Sequence, residues 1–328
     1  MFPNWIIAGA PKAGTSSLFR WLVDHPEVSG SAEKETYYFV DRGTHMFSPT
    51  RNFVQGGLAG YARLFEHCDA TSGVILESTP GYLYSETALR ELPRLPSSPS
   101  FIFVLREPVA QLHSLFSYFQ QNWNWISRQM SFGEFIAAAN QGREKFKGNE
   151  LAANALRNAW YPEHLRRWKA AVGRERMFIL LFEDLIGGSR PTMRRIAKRI
   201  GIDPAFYDDY DFPPENRTYV ARSGALQDLN VIVRSRLPQG RLYDALRRLY
   251  RAANTKAPTR AADDPELDCE LAERYAAMIP ELEQEFELDL ASWRQARTAT
   301  LASPAAARPC AEGDRFRVTP SLVESAAK

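Results

Sequence analysis

The stretch best suited to chemistry is a loop of small and polar residues near the start of the chain. Residues 9–17 read Gly-Ala-Pro-Lys-Ala-Gly-Thr-Ser-Ser and follow a short apolar run at 5–8. Small residues let a backbone approach an oxyanion closely, and the N–H groups at the start of a helix point at that anion along a favourable dipole. The sequence therefore predicts an anion-binding loop, in which Lys12 adds an ammonium group.

The position of Lys12 distinguishes this loop from the phosphate loops of nucleoside triphosphatases. In those proteins the lysine follows the second glycine and directly precedes the Ser or Thr that binds magnesium. Here Lys12 lies two positions before Gly14. The main argument for ATP hydrolysis and for a metal is therefore missing. A kinase or phosphotransferase acting on ATP is the first alternative function, and a non-catalytic nucleotide-binding module is the second.

Arg106 and Ser114 form a second candidate anion site. Arg106 directly follows the apolar run 101–105, and Ser114 lies eight residues further along the chain. If Pro108 begins a helix, about two turns bring the hydroxyl back towards the guanidinium group. Because open α/β sheets bind ligands at the carboxyl ends of their strands, we expect both side chains to converge on one phosphate.

These residues require a sheet and helices to position them. Apolar runs predict strands at 5–8, 73–76, 101–105 and 177–182, and helical periodicity predicts helices at 14–25, 107–121, 131–140, 150–171 and 189–201. Strands that alternate with helices are typical of the α/β class. We expect a three-layer α/β/α arrangement with a mostly parallel central sheet. The polar segments 40–60 and 122–149 are predicted loops.

The domain organisation follows from where apolar periodicity ends. Residues 296–328 are rich in Ala, Arg, Ser and Thr without apolar periodicity. We therefore predict one domain over residues 1–295 and a poorly ordered tail over 296–328.

The composition narrows the function classes. The chain has 328 residues, and 41 Lys+Arg against 39 Asp+Glu leave a net charge of +2, which disfavours nucleic acid or acidic lipid as partners. No apolar run approaches the ~18 residues of a membrane helix, and no secretory signal is evident. The cysteines at 68, 269 and 310 show no metal-ligand spacing. A reduced, cytoplasmic setting is therefore expected.

The loop and the Arg106 element together resemble the two cofactor-binding signatures of sulfotransferases that use 3′-phosphoadenosine 5′-phosphosulfate (PAPS). The pattern is most similar to bacterial and glycan-modifying members, and it extends through Trp160-Tyr161 and 182–185 to Trp293, covering about residues 1–294. The resemblance implies a P-loop-like sulfotransferase fold with a helical C-terminal part. It also implies PAPS as donor, adenosine 3′,5′-bisphosphate as product, and no metal.

Carried over residue by residue, the resemblance assigns the nucleotide contacts. Arg106 and Ser114 would bind the 3′-phosphate, and Arg222 would add a contact to the 3′-phosphate or adenine from a later region. The loop residues would bind the 5′-phosphosulfate: Pro11, Lys12, Ala13, Gly14, Thr15, Ser16 and Ser17. Lys12 would also stabilise the charge that develops on the leaving phosphate.

Glu35 is the preferred candidate for the catalytic base. The run Lys-Glu-Thr-Tyr-Tyr-Phe at 34–39 resembles the base-carrying segment of glycan-modifying sulfotransferases. We expect its aromatic residues to desolvate the carboxylate and raise its pKa. Glu77 is the second candidate, with a structural or acceptor-facing role as the alternative. Tyr37 and Ser78 stand where heparan-type enzymes usually have His and Lys, which argues against a heparan-like acceptor.

The predicted reaction transfers a sulfuryl group to a hydroxyl group. An amine is the second choice, and the acceptor is a carbohydrate-containing or other small metabolite. Trp123, Trp125 and the loop at 40–60 are expected to contact this acceptor, because aromatic faces suit sugars and flat metabolites. Neither a nucleic-acid partner nor a membrane span is expected.

Overall fold

The computed structural model describes residues 1–69, 71–142, 144–213, 215, 220–221, 226, 254–256 and 264–302. Its centre is a five-stranded parallel sheet with the strand order β2-β3-β1-β4-β5. The strands are β1 (Trp5–Gly9), β2 (Val28–Gly30), β3 (Val74–Ser78), β4 (Ser100–Leu105) and β5 (Met177–Leu181). The predicted α/β class with a parallel sheet is confirmed.

Both faces of the sheet are covered. Side chains of a strand point alternately to the two faces, and all residues of β3 are buried, as are 101–105 of β4. On one face, Trp168 packs on Phe101 and Phe103 with ring centroids 4.8 and 5.4 Å apart. This burial on both sides explains why the strands are continuous apolar runs, and it matches the predicted three-layer arrangement.

The order of the strands determines where a ligand can bind. From β1 the chain builds β2 and β3 on one side and then crosses to β4 and β5 on the other. Such a reversal opens a crevice at the carboxyl ends of the strands on either side of it. The loop after β1 and Arg106 after β4 therefore meet at this crevice.

Helices connect and flank the strands. The helices at 108–121, 132–141 and 189–200 match the predicted helices to within one residue, and the helix at 15–23 matches to within two. The helices before β5 are α1 (Thr15–Val23), α2 (Phe53–Ala62), α3 (Glu86–Glu91), α4 (Pro108–Gln121), α5 (Phe132–Gln141), α6 (Glu150–Ala153), α7 (Ala155–Asn158) and α8 (Tyr161–Val172). After it come α9 (Phe182–Gly187), α10 (Ser189–Ile200), α11 (Pro265–Ala276), α12 (Met278–Phe286) and α13 (Ala291–Leu301). Two short strands, β6 (Val220–Ala221) and β7 (Thr255–Lys256), pair antiparallel.

Several sequence predictions were wrong in detail. The helix predicted at 150–171 is three helices, because the chain turns at Asn154 and α8 restarts with Pro162 in its first turn. The segment at 40–60 is not all loop, since α2 begins at Phe53 under an Asn52 cap. The strand β2 was missed because it is short and lies at the edge of the sheet.

The C-terminal helices extend the folded unit beyond residue 295. Trp293 on α13 is 1% exposed, and its Nε1 donates to Glu183 Oε2 at 3.0 Å. Arg297 forms an ion pair with Glu273 of α11 at 3.0 Å. The predicted domain end therefore lies inside a helix that runs to Leu301. Residues 303–328 lie outside the described residues, so a tail there stays a prediction. In the part of the chain that the structure describes, no helix combines the length and apolar character needed to cross a bilayer.

Trp293→Ala should lower the free energy of unfolding by about 3–5 kcal/mol, because it removes a buried indole and leaves a cavity. Chemical denaturation measures this change. Arg297→Ala is the control on the same helix, and its exposed ion pair should contribute at most about 1 kcal/mol. Equal effects of the two variants would show that Trp293 does not anchor α13 in the core.

Candidate active site

One cavity of about 710 Å³ opens at the carboxyl edge of the sheet. Its wall contains residues that directly follow four strands: the loop at 11–17 after β1, Pro80 and Gly81 after β3, Arg106 after β4 and Phe182 after β5. Glu35, Ser114, Trp123 and Trp125 line the same cavity. Most of the residues singled out for nucleotide, base and acceptor thus line one cavity, although Ala13 and Glu77 do not.

The loop after β1 has the geometry of an anion site. Gly14 has φ +81°, and a Cβ there would lie 2.8 Å from Phe182 Cδ2, so only glycine fits. Gly14 gives α1 no side-chain cap, so the N–H groups at the start of that helix are not satisfied by a capping side chain. Thr15, Ser16 and Ser17 all line the cavity, whereas Ala13 is buried and does not.

Two side chains that follow β4 hold the loop in place. Gln111 donates from Nε2 to the carbonyl oxygen of Pro11 at 2.9 Å, and Arg106 donates from Nη1 to that of Lys12 at 3.1 Å. Ala10 N–H donates to the carbonyl oxygen of Val104 at 2.7 Å. Gln111 therefore supports the loop from α4.

Lys12 is the central cation of the loop. Its Nζ lies 3.7 Å from the centre of the Tyr118 ring. Burial, together with the charges of Arg106 and Lys34, lowers the pKa of Lys12 to about 7, against an opposing effect of Glu35. An anion bound at the loop would favour the protonated amine, so ligand binding should be coupled to proton uptake.

Arg106 and Ser114 lie in the cavity wall as predicted. The guanidinium group of Arg106 stacks 4.4 Å from the Phe182 ring centre, and its buried Nε has no hydrogen-bond partner among the described residues. Burial lowers the pKa of Arg106, opposed by Glu183. Glu107 caps α4 by accepting from Val109 N–H at 3.1 Å and from the next N–H at 2.7 Å. Anion binding on this side is therefore left to side chains rather than to the helix start.

Glu35 lines the cavity, but its surroundings differ from the expectation. Lys34 Nζ donates to its Oε1 at 2.5 Å, and the hydroxyl of Tyr37 donates to its Oε2. Burial alone would raise the pKa of Glu35, but the charge of Lys34, the two hydrogen bonds and Lys12 hold it below its ordinary value. The predicted upward shift was therefore wrong, because the charges of Lys34 and Lys12 and the two hydrogen bonds together affect the pKa more strongly than burial does. Glu35 is ionised in this arrangement.

Glu77 lies in β3 rather than in the cavity wall. It is 0% exposed, and its Oε1 accepts from the hydroxyls of Thr36 at 2.9 Å and Thr79 at 2.6 Å. Burial raises its pKa to about 7, opposed by these hydrogen bonds. Of the roles considered for Glu77, this buried position fits the structural one: Glu77 touches the segment that carries Glu35 and does not line the cavity, so an acceptor contact is not supported.

The far end of the cavity contains the two predicted tryptophans, both half-buried. From the loop at 40–60, only 40–41 and 44–46 reach the wall.

His45 was missed by sequence reasoning: its backbone N–H and its Nδ1 contact Glu150 Oε2 at 2.8 and 2.7 Å, and its ring lies 5.2 Å from that of Trp125. No spacing signal could reveal this pair, since 105 residues separate its members. Other cavity residues missed by sequence reasoning are Tyr84, Glu86, Asn154, Arg157, Asn158, His164 and Arg167.

Two expectations concern features outside this wall. Arg222 lies outside the described residues, so its nucleotide contact stays a prediction. Within the described ranges, no group of three or more His, Cys, Asp or Glu side chains is arranged to hold a metal ion.

Comparison with known proteins identifies the relatives of this chain, although no family model matches it. The human bifunctional heparan sulfate N-deacetylase/N-sulfotransferase 3 is 24% identical over 206 residues, 62% of this chain and 23% of that protein. The membrane-associated sulfotransferase kil1 of Dictyostelium discoideum is 28% identical over 131 residues, 39% of this chain and 25% of that protein. Part of this chain is thus similar in sequence to proteins named as sulfotransferases. The chain spans about a quarter of the length of the curated relatives it matches.

A solved structure has a similar fold. A sulfotransferase from Alicyclobacillus acidocaldarius matches with a TM-score of 0.60 at 19% identity, covering 90% of this chain and 99% of the other. The predicted resemblance to sulfotransferases and the predicted fold class are thereby confirmed.

The protein should bind adenosine 3′,5′-bisphosphate more weakly as the pH rises through 7, because the free protein loses the Lys12 proton there while the phosphates are already ionised (pKa about 6). We expect about a tenfold weaker Kd at pH 8.5 than at pH 7. Calorimetry in buffers of different ionisation enthalpy measures both affinity and proton uptake. Lys12→Met should bind more weakly at all pH values and lose this dependence; an unchanged slope would assign the proton to another group.

Proposed function

We propose that this protein transfers the sulfuryl group of PAPS to a hydroxyl, or as second choice an amine, of a carbohydrate-containing or other small metabolite. The observation that carries the proposal is that one cavity contains two groups of opposite charge. They are Lys12 of the loop after β1 and the carboxylate of Glu35, whose pKa is held below its ordinary value. Relatives named as heparan sulfate N-deacetylase/N-sulfotransferases support a carbohydrate acceptor.

The donor end fits a doubly phosphorylated nucleotide on three separate grounds. The start of α1 has no side-chain cap, Arg106 Nε has no partner among the described residues, and the pKa of Lys12 is depressed. Each of these would be relieved by an anion. In this proposal Lys12 and residues 14–17 bind the 5′-phosphosulfate. Arg106 and Ser114 bind the 3′-phosphate.

The reaction requires little covalent chemistry from the protein. The acceptor oxygen forms a bond to sulfur while the bond between sulfur and the 5′-phosphate oxygen breaks. Glu35 takes the acceptor proton, and the negative charge passes to the phosphate, where Lys12 and the loop N–H groups stabilise it. In-line positioning of the two oxygens supplies much of the remaining rate.

Glu35 must exchange a partner to act as base. Both of its oxygens are engaged, one by Lys34 and one by Tyr37. Tyr37 lines the cavity, and the charge of Glu35 and burial raise the pKa of its phenol well above 10, so it remains a donor. An acceptor hydroxyl that displaces one of these donors would reach a carboxylate that is already ionised.

The charges at the acceptor end favour a neutral or cationic acceptor over a polysulfated chain. Among the described lining residues, Arg167 pairs with Glu86, and His45 contacts Glu150. Arg157 pairs with Glu163 at 2.6 Å. These basic side chains thus have acidic partners, which agrees with the absence of the His and Lys typical of heparan-type enzymes at positions 37 and 78. Trp123 and Trp125 offer faces on which a sugar or a flat ring can stack.

Incubation with ³⁵S-labelled PAPS and a panel of neutral glycans, aminoglycans and phenols should yield labelled product without added metal. Calorimetry should show adenosine 3′,5′-bisphosphate binding more tightly than ATP, with or without magnesium. Preferential binding of magnesium-ATP would favour a kinase instead. Tight bisphosphate binding without transfer to any acceptor would indicate a binding module.

Glu35→Gln should lower kcat by ~10²–10⁴-fold and leave the affinity for adenosine 3′,5′-bisphosphate unchanged, because the amide cannot take a proton. The acid limb of the kcat profile should lie below the ordinary glutamate range in the wild type and vanish in the variant. The matched control is Glu33→Gln, an exposed carboxylate two residues earlier that pairs with Arg51; its kcat should stay within about twofold. Full activity of Glu35→Gln would remove Glu35 from the chemistry.

A further inference from the structure

We infer that Glu77 is a positioning residue: through the hydroxyls of Thr79, Thr36 and Tyr82, one of its carboxylate oxygens anchors the backbone at 36–39 and thereby holds Glu35 and Tyr37 in the cavity. The catalytic part of this inference rests on the proposed function. The anchoring itself is a statement about hydrogen bonds, and it can be tested without any substrate.

The first branch of the network runs through Thr79. Its hydroxyl donates to Glu77 Oε1 at 2.6 Å. With its proton so directed, Thr79 Oγ1 accepts from the backbone N–H of Thr36 at 3.0 Å and from that of Tyr37 at 3.4 Å. Two consecutive backbone N–H groups are therefore connected to Glu77 through the single hydroxyl of Thr79.

The second branch runs through Thr36. Its hydroxyl donates to the same Glu77 Oε1 at 2.9 Å and accepts from the backbone N–H of Tyr38 at 3.3 Å. Because the Thr36 proton points at Glu77, the Tyr82 hydroxyl is the donor in its 2.9 Å contact with Thr36 Oγ1. Tyr82 in turn accepts from the N–H of Phe39 at 3.3 Å. All four N–H groups of 36–39 thus lead to one oxygen.

This anchoring replaces secondary structure. The segment 36–39 belongs to no helix or strand, so its buried donors need side-chain acceptors. Thr36 is 1% exposed, while its neighbours Glu35 and Tyr37 line the cavity. Tyr37 has φ +51°, a conformation that is strained for a non-glycine residue and persists only where its surroundings hold it. The network holds the backbone on both sides of that position.

The network needs an acceptor with two lone pairs at its end. Each threonine hydroxyl has one proton to give, and both give it to Glu77 Oε1. A glutamine oxygen can accept the same two bonds, whereas a leucine of similar size cannot. Since burial raises the pKa of Glu77 to about 7, the neutral amide also resembles its protonated form. Glu77→Gln is therefore the conservative variant, and Glu77→Leu and Thr79→Val are the disruptive ones.

Hydrogen exchange measured by mass spectrometry tests the anchoring directly. Thr79→Val and Glu77→Leu should speed exchange of the amides at 36–39 by about tenfold or more, with the amides at 10–17 unchanged and Glu77→Gln near wild type. Thr192→Val is the matched control, because Thr192 is also buried and donates to a backbone oxygen, that of Asp184, at 3.1 Å. Unchanged exchange at 36–39 in Thr79→Val, or equal acceleration in Thr192→Val, would overturn the inference.

A double-mutant cycle tests whether the anchoring acts through the base. Thr79→Val should lower kcat by about 10-fold or more while the KM for PAPS stays within twofold, and it should cost nothing further in a Glu35→Gln background. Glu77→Gln should restore most of the rate lost in Glu77→Leu. Equal losses in both backgrounds would show a merely structural role and overturn the positioning. A wild-type protein that transfers no sulfuryl group would refute the proposed function, while the exchange result would still decide the anchoring.

Discussion

The site depends on the gathering of two cationic side chains and an uncapped helix start at one cavity. Lys12, Arg106 and the start of α1 all border it, and burial together with the charge of Arg106 lowers the pKa of Lys12. Proteins tolerate such a cluster where an anionic ligand completes it. The neighbouring helix is treated differently, because the Glu107 carboxylate closes the start of α4. The start of α1 thus has no side-chain cap, whereas on the α4 side the groups that reach the cavity are side chains, Arg106 and Ser114.

The same cavity brings opposite charge close without neutralising the cluster. Lys34 and Tyr37 hold Glu35 and keep it ionised, while Lys12 faces Tyr118. A carboxylate and an amine can therefore coexist in one cavity because each has its own partners. This separation of partners suits a reaction in which a proton leaves on one side of the transferred group and charge builds up on the other.

Much of the donor end could be predicted from the sequence, because the loop and Arg106 each follow an apolar run and their chemistry is local. Features that depend on tertiary contacts could not. The pairing of His45 with Glu150, the support of the loop by Gln111 and the convergence of Thr36 and Thr79 on Glu77 join residues far apart in the chain. The pKa of Glu35 was predicted with the wrong sign because aromatic neighbours are visible in a sequence, whereas the direction of the Lys34 side chain is not. Helix α13 was missed because Trp293, rather than a periodic apolar stripe, holds it.

Glu183 links two distant parts of the molecule. One of its oxygens accepts from the Trp293 indole and the other from the backbone N–H of Glu107, the residue directly after Arg106. The final described helix is thereby connected to the backbone next to Arg106 in the cavity wall. Any shortened or fused form of this polypeptide should keep the helical turns around Trp293 intact. Their loss would remove one of the contacts that hold Glu183, and with it support for the backbone next to Arg106.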